Sequence, residues 1–330
     1  MERNQRPQPK IGYFGSGLAA YWPQFPQLKP AVLELMERHA AKIEAMGCQV
    51  VRGGLVDCAE RSNEVGDMFA RECVDLIIGE IMTYTASHVL VPIAQRNIAP
   101  YVTLALQMVP TVPYDTIATD DFTLIGAAMT APEVSCAFQR CGLPFNFVLG
   151  GDFQDEVWVE VHEWVEAAGV RKSLMNSRIG YLGHYYPGML DMYSDLTMHQ
   201  GKFGTHVEIL EMCDLARILP TVTEAEKQQK RAEVERMFVI SEDSPADPLA
   251  KKPTPDQLDW SCTVAVAQEK LVREFDLDAL TYYYRGDAGN EYERIQEAFI
   301  LGHSLLTAQG IPCSGEGDMK TAIAMKIADI

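Results

Sequence analysis

The sequence predicts two α/β domains, each a parallel sheet covered by helices, and three observations lead there. Short apolar runs alternate with longer amphipathic segments along the 330 residues, the pattern of strands followed by crossover helices. The run Val-Asp-Leu-Ile-Ile-Gly at 74–79 is apolar almost throughout, as a strand covered on both faces must be. The length suits about two domains, and a polar stretch at 171–177 marks the passage from one to the next.

In order, residues 10–15 read as a first strand and 30–46 as a helix that Gly47 ends. A strand at 49–52, a helix at 62–72, the strand at 74–79, a short helix at 86–95 and a strand at 101–106 follow. A helix at 133–141, a strand at 146–149 and a helix at 155–168 complete the first set. This makes 1–175 a flavodoxin-like domain, and 176–330 a second α/β domain. The second begins with a strand at 178–182. A strongly charged helix spans 223–236, where Thr223 and Glu226 have capping-box spacing. A proline-rich loop at 243–255 leads into an amphipathic helix within 254–274, a strand at 280–284 and a helix at 291–309. Ligands in such folds bind at the carboxyl ends of strands, so the loops at 16–27, 53–57, 80–85, 107–114 and 150–153 are the ones to watch.

Composition narrows the function. Hydrophobic residues make up 47% and charged residues 22%, as in a globular protein. The net charge of −18 argues against nucleic acid and anionic membrane as partners, since both need a basic surface. The eight cysteines include no Cys-x-x-Cys pair, which excludes a zinc ribbon and a thioredoxin motif. A reduced cytoplasm fits them best. The first ten residues are polar, without the apolar core of a signal peptide.

Gly15-Ser-Gly17-Leu-Ala-Ala20 fits the dinucleotide fingerprint and follows a strand. That motif must open a helix, and Pro23 and Pro26 interrupt one. The expectation is no dinucleotide here, and no nicotinamide oxidoreductase. Tyr21, Trp22 and Gln24 suit a sugar pocket better, where apolar faces join a few polar groups. In the run His206-x-Glu208, His206 reads as structural. His184, Tyr185, Tyr186 and Met189 sit just after a strand, where packing and sugar stacking are both open. Along Tyr282-Tyr283-Tyr284, alternation points the first and third side chains one way and the second the other.

The chain is organised around 311–322, Ile-Pro-Cys-Ser-Gly-Glu-Gly-Asp-Met-Lys-Thr-Ala. Two glycines bracket Glu316, Asp318 is placed to cap a final helix, and the whole reads as strand end, tight turn and helix start. Such a turn can push a carboxylate into a cleft.

With its lead-in from Ile300, this stretch resembles the L-arabinose isomerase family, whose signature Gly-Glu-Gly-Asp-x-Lys-Thr-Ala appears as Gly315, Glu316, Gly317, Asp318, Lys320, Thr321 and Ala322. The resemblance is strong at 300–325 and is carried elsewhere by order and spacing. It implies an aldose–ketose isomerase working through an enediol. Glu316 would be both a catalytic carboxylate and a ligand to a divalent metal, manganese first. By position the family's sugar-contacting aromatics match Tyr84 and Tyr284, its methionine matches Tyr186 or Met189, and its first turn matches Ser16 and Leu18. A small-molecule sugar substrate and a homo-oligomer with sites shared between subunits are also implied. The family's glutamine–histidine run is replaced by Ala127-Ala128-Met129-Thr130, which turns the expectation away from L-arabinose itself. The second glutamate and both histidine ligands of the family lie beyond Ile330, so the expectation is a truncated, catalytically silent form. A sugar-binding or regulatory protein on the same fold is the alternative.

Overall fold

The computed structural model describes residues 8–286 and 288–330, which fall into two compact units meeting at Lys172 and Ser173. The first contains β1 (Lys10–Ser16), α1 (Tyr21–Gln24), α2 (Leu28–Glu44), β2 (Gln49–Val56), α3 (Ala59–Glu72), β3 (Leu76–Ile81), α4 (Val91–Gln95), β4 (Tyr101–Gln107), α5 (Thr119–Ile125), α6 (Ala131–Arg140), β5 (Asn146–Gly151) and most of α7 (Asp155–Met175). Its strands pair in parallel in the order β2-β1-β3-β4-β5, the flavodoxin-like order. The fold class expected from alternation is the one found.

The helices form for legible reasons. On α2, Leu28, Val32, Leu35, Met36, His39, Ala40 and Ile43 are buried, the three-and-four spacing of one helix face. The helix α3 ends where Cys73 turns left-handed at φ 52°. Two expectations need correcting. The strand at 49–52 runs on to Val56, past a register shift at Tyr13/Phe14 on its neighbour. The helix at 86–95 is a 3-10 turn, Ser87–Val89, followed by α4, because Pro92 forces a new start. The polar stretch at 171–177 contains the division between the two units, which falls within the last turn of α7.

All of β3 is buried, including one carboxylate, Glu80. Buried ions persist only when paired and hydrogen-bonded. Tyr13 on β1 donates its hydroxyl to Glu80. His39 on α2 places Nδ1 2.8 Å from the same carboxylate and Nε2 3.1 Å from Asp152. The Trp158 ring packs 5.1 Å from the imidazole, and its Nε1 donates to the Asp152 carbonyl. Burial disfavours the imidazolium, but Glu80 and Asp152 outweigh it and raise His39 above its ordinary value. Burial and the Glu80 charge push the Tyr13 hydroxyl far up.

The second unit contains β6 (Arg178–Gly183), α8 (Leu196–Phe203), β7 (His206–Leu210), α9 (Met212–Ile218), α10 (Glu224–Met237), α11 (Pro255–Glu274), β8 (Ala279–Tyr283), α12 (Glu291–Gln296), α13 (Phe299–Ala308), β9 (Cys313–Ser314) and α14 (Met319–Asp329). Its sheet is also parallel, in the order β7-β6-β8-β9. The Thr223 capping box is formed, with the Thr223 side chain accepting from the Glu226 amide. The helix expected at 291–309 is two helices, broken at Glu297 and Ala298. His206 opens an edge strand and is exposed, with Nε2 3.2 Å from Glu208. No described helix is long and apolar enough to cross a membrane.

The buried pair yields a stability prediction. His39→Leu leaves Glu80 without its cationic partner and is expected to cost about 3–5 kcal/mol in urea unfolding. Because the fold raises His39, the stability it contributes is fully present below its ordinary value of 6.5 and fades as pH rises through the raised one. The wild-type chain should therefore lose stability on the alkaline side of 6.5, and His39→Leu should flatten that slope. An unchanged slope in the variant would show that the imidazolium is not what holds the pair.

Candidate active site at the Glu316 turn

Strand β9 ends at Ser314 and α14 starts at Met319, leaving Gly315, Glu316, Gly317 and Asp318 to reverse the chain. Asp318 caps α14, accepting from the Lys320 and Thr321 amides at 3.1 Å and from the Thr321 hydroxyl at 2.6 Å. Ser314 Oγ donates to the Asp318 carbonyl at 2.8 Å. Cap and turn are as the sequence predicts.

The turn is tied to the carboxyl ends of two neighbouring strands. The Gly317 amide donates to the Tyr282 carbonyl on β8 at 2.9 Å, and the Tyr186 amide, just past β6, donates to the Glu316 carbonyl at 3.0 Å. Glu316 has φ 62° and Gly317 φ 72°. Gly317 has no freedom to be anything else, since a Cβ there would lie 2.6 Å from the His184 carbonyl. Glu316 is different: a side-chain-bearing residue held left-handed stores on the order of 1–2 kcal/mol, and its side chain stays exposed.

Aromatic rings stand beside it. Tyr283 packs against Tyr186 with ring centroids 4.8 Å apart and against His184 at 5.2 Å. His184 Nδ1 lies 2.8 Å from the Tyr185 carbonyl, which can only accept, so Nδ1 carries a proton and Nε2 is the ring nitrogen left to face a ligand. Burial first, then the nearby Glu316 charge, raise the Tyr282 hydroxyl; Tyr283 is raised by burial, Tyr186 and Glu316. A carboxylate, a histidine and two phenols packed against each other can bind a hydroxylated ligand and exchange protons with it.

Of the residues singled out in the sequence, Tyr186 and Met189 lie on the segment bonded to Glu316, with the Met189 amide donating to the Tyr186 carbonyl at 3.3 Å. Tyr284 turns its ring onto Tyr292, 5.8 Å away, and its hydroxyl donates to Asn290 at 3.3 Å. Ser16, Leu18 and Tyr84 belong to the first unit. There Ser16 Oγ donates to the Glu80 carbonyl and the Leu18 amide to Thr83 Oγ1, while Tyr84 is 45% exposed. Nothing in the run of three tyrosines marks Tyr283 as the one beside Tyr186 and His184; the register of β8 decides it. Tyr282 and Tyr284 both join the core, Tyr283 the other face.

The donor set does not by itself fit a metal. Among the described residues no three His, Cys, Asp or Glu side chains converge on a point that could hold an ion, and a lone carboxylate seldom binds a divalent transition metal tightly. At Gly15–Ala20 the following helix, α1, is four residues long. The Trp22 ring lies 2.8 Å from where a Gly17 Cβ would be, and its Nε1 donates to Asp57 at 2.7 Å. That indole covers the glycine where a pyrophosphate would have to approach.

No family model matches the chain. Curated relatives do. The L-arabinose isomerase of Aeromonas salmonicida is 22% identical over 257 residues, 78% of this chain and 50% of that protein. The L-arabinose isomerase of Bacillus subtilis is 22% identical over 66% of this chain and 42% of its own length. That of Oceanobacillus iheyensis is 25% identical over 68% and 45%. The chain is thus similar to L-arabinose isomerases, as the signature around Glu316 implies, and it spans about half the length of the curated relatives it matches.

Two measurements probe the site directly. Glu316→Gly should raise stability by about 1 kcal/mol by releasing left-handed strain, whereas Gly317→Ala should lower it by more than that, because its Cβ meets backbone. A stability loss in Glu316→Gly would mean the side chain is a structural anchor. Titration with NAD or NADP should give no saturable signal, and micromolar affinity would reopen the oxidoreductase reading.

Proposed function

We propose that this chain supplies the sugar-holding face and one acid–base carboxylate of an aldose–ketose isomerase. The observation that carries the reading is Glu316, strained and exposed at the strand ends, beside the packed Tyr283–Tyr186 pair. Similarity to proteins named L-arabinose isomerase supports it. The Glu316 carboxylate removes the proton from the carbon next to the sugar carbonyl. The C–H electron pair becomes the C=C bond of an enediol, and the carbonyl oxygen gains a proton. Returning a proton to the former carbonyl carbon, while the neighbouring hydroxyl gives one up, leaves the carbonyl one carbon along. The free Nε2 of His184 takes and returns the hydroxyl proton. The tyrosine rings cover one face of the sugar.

Met189 and Tyr284 are the further sugar contacts on this unit in this reading; Ser16, Leu18 and Tyr84 are those the first unit offers, in a homo-oligomer whose subunits share sites. Glu316 is the donor this chain offers a divalent cation such as manganese. The remaining donors come from outside the described residues, in a longer protein or a neighbouring subunit. All eight cysteines are free, which suits the reducing cytoplasm.

The test combines binding and turnover over a panel of pentoses with manganese. Tyr283→Ala should weaken binding about tenfold, the loss of one stacking ring. The 330-residue chain alone should bind without measurable interconversion. Clear turnover by it would sink the ligand argument. In an assembly that supplies the remaining donors, Glu316→Gln should lower turnover about a hundredfold or more while binding holds, and unchanged turnover would remove Glu316 from the chemistry.

A further inference from the structure

On the opposite face of β8 from Tyr283, a cavity of about 340 Å³ lies between that strand, Gly315 and one face of α13. Tyr282, Ile300, His303, Ser304, Thr307, Cys313 and Gly315 line it. No lining side chain is an acid, a lysine or an arginine, in a chain of net charge −18. His303 is only 7% exposed, and its Nε2 is buried with no hydrogen-bond partner among the described residues. Such an orphan is costly unless something completes it. Burial pushes His303 down to about 3, so the ring stays neutral, and it pushes the Cys313 thiol up to about 12, so the sulfur stays protonated and unreactive.

The hydroxyls on the wall are half used. Ser304 Oγ donates to the Ile300 carbonyl at 2.9 Å, which leaves its lone pairs free to accept. Thr307 Oγ1 accepts from the Cys313 amide at 3.1 Å and hydrogen-bonds the Cys313 thiol, which leaves one lone pair to accept. The Tyr282 ring packs edge-on against the imidazole, 4.5 Å between centroids, and offers an apolar face. Two hydroxyl acceptors, a neutral imidazole and an aromatic wall together match a small molecule with many hydroxyls to donate. The absence of an opposing charge disfavours an anion or a cation.

We propose that this cavity is a second ligand site, which takes a small neutral polyol and holds it through His303, Ser304 and Thr307. The site does not depend on Glu316 being catalytic. Its volume suits one such molecule.

The test uses the full chain labelled with ¹⁵N-histidine and titrated with xylitol, which has no carbonyl and cannot be isomerised. The ring nitrogens of His303 should shift saturably while those of His184 stay still. The double variant Ser304→Ala, Thr307→Val should bind at least about tenfold more weakly, as expected for two lost hydrogen bonds. His303→Phe keeps a ring of similar size, and its fold can be checked by thermal melting; with the fold intact, its remaining histidines should not respond to xylitol. No saturable shift at His303, a shift at His184 instead, or undiminished binding by the double variant would overturn the proposal.

Discussion

Two backbone hydrogen bonds hold the second unit's site in place: Gly317 to the end of β8, and Tyr186 to Glu316. They pin a turn whose residues are both left-handed. Everything else at that edge follows. With the turn fixed against the His184 carbonyl, the segment after β6 has to run alongside it, and Tyr186 is brought onto Tyr283. The strain in Glu316 is tolerated because the surrounding bonds over-determine its backbone. Strain of this kind costs on the order of 1–3 kcal/mol and persists only where the surrounding structure holds it.

The first unit handles its buried charge differently. Glu80 sits in the middle of a strand covered on both faces, where water cannot reach it, and three side chains from other elements compensate it or extend its network. The pairing links a strand, a helix and the end of β5, so it specifies how α2 lies on the sheet as well as neutralising the acid. Asp152, the member of the network nearest solvent, connects it to the loop at the carboxyl end of β5.

Strand alternation gives β8 two roles at once. Tyr283 faces the Glu316 side, and Tyr282 faces α13 and lines the cavity with His303. Both phenols feel the Glu316 charge, so the two faces of one short strand share an electrostatic neighbour while presenting separate surfaces.

Local chemistry wrote much of this into the sequence. Alternating apolar runs fix a parallel α/β architecture, because only strands covered on both faces can be apolar throughout. Thr223 and Asp318 announce their helices, because a cap needs only residues three positions along. The Gly-Glu-Gly-Asp run announces its turn, because only glycine fits where Gly317 sits. What the tertiary structure alone decided are relations between distant positions. His39 meets Glu80 across 41 residues, and no local pattern pairs them. The register of β8 chooses Tyr283 over its neighbours. The helix α7 runs across the division between the units to Met175, since helical bonds continue wherever no proline or cap intervenes. The orphaned nitrogen of His303 becomes visible only once α13 is laid over β8, because a missing partner is a property of three-dimensional packing and not of the chain.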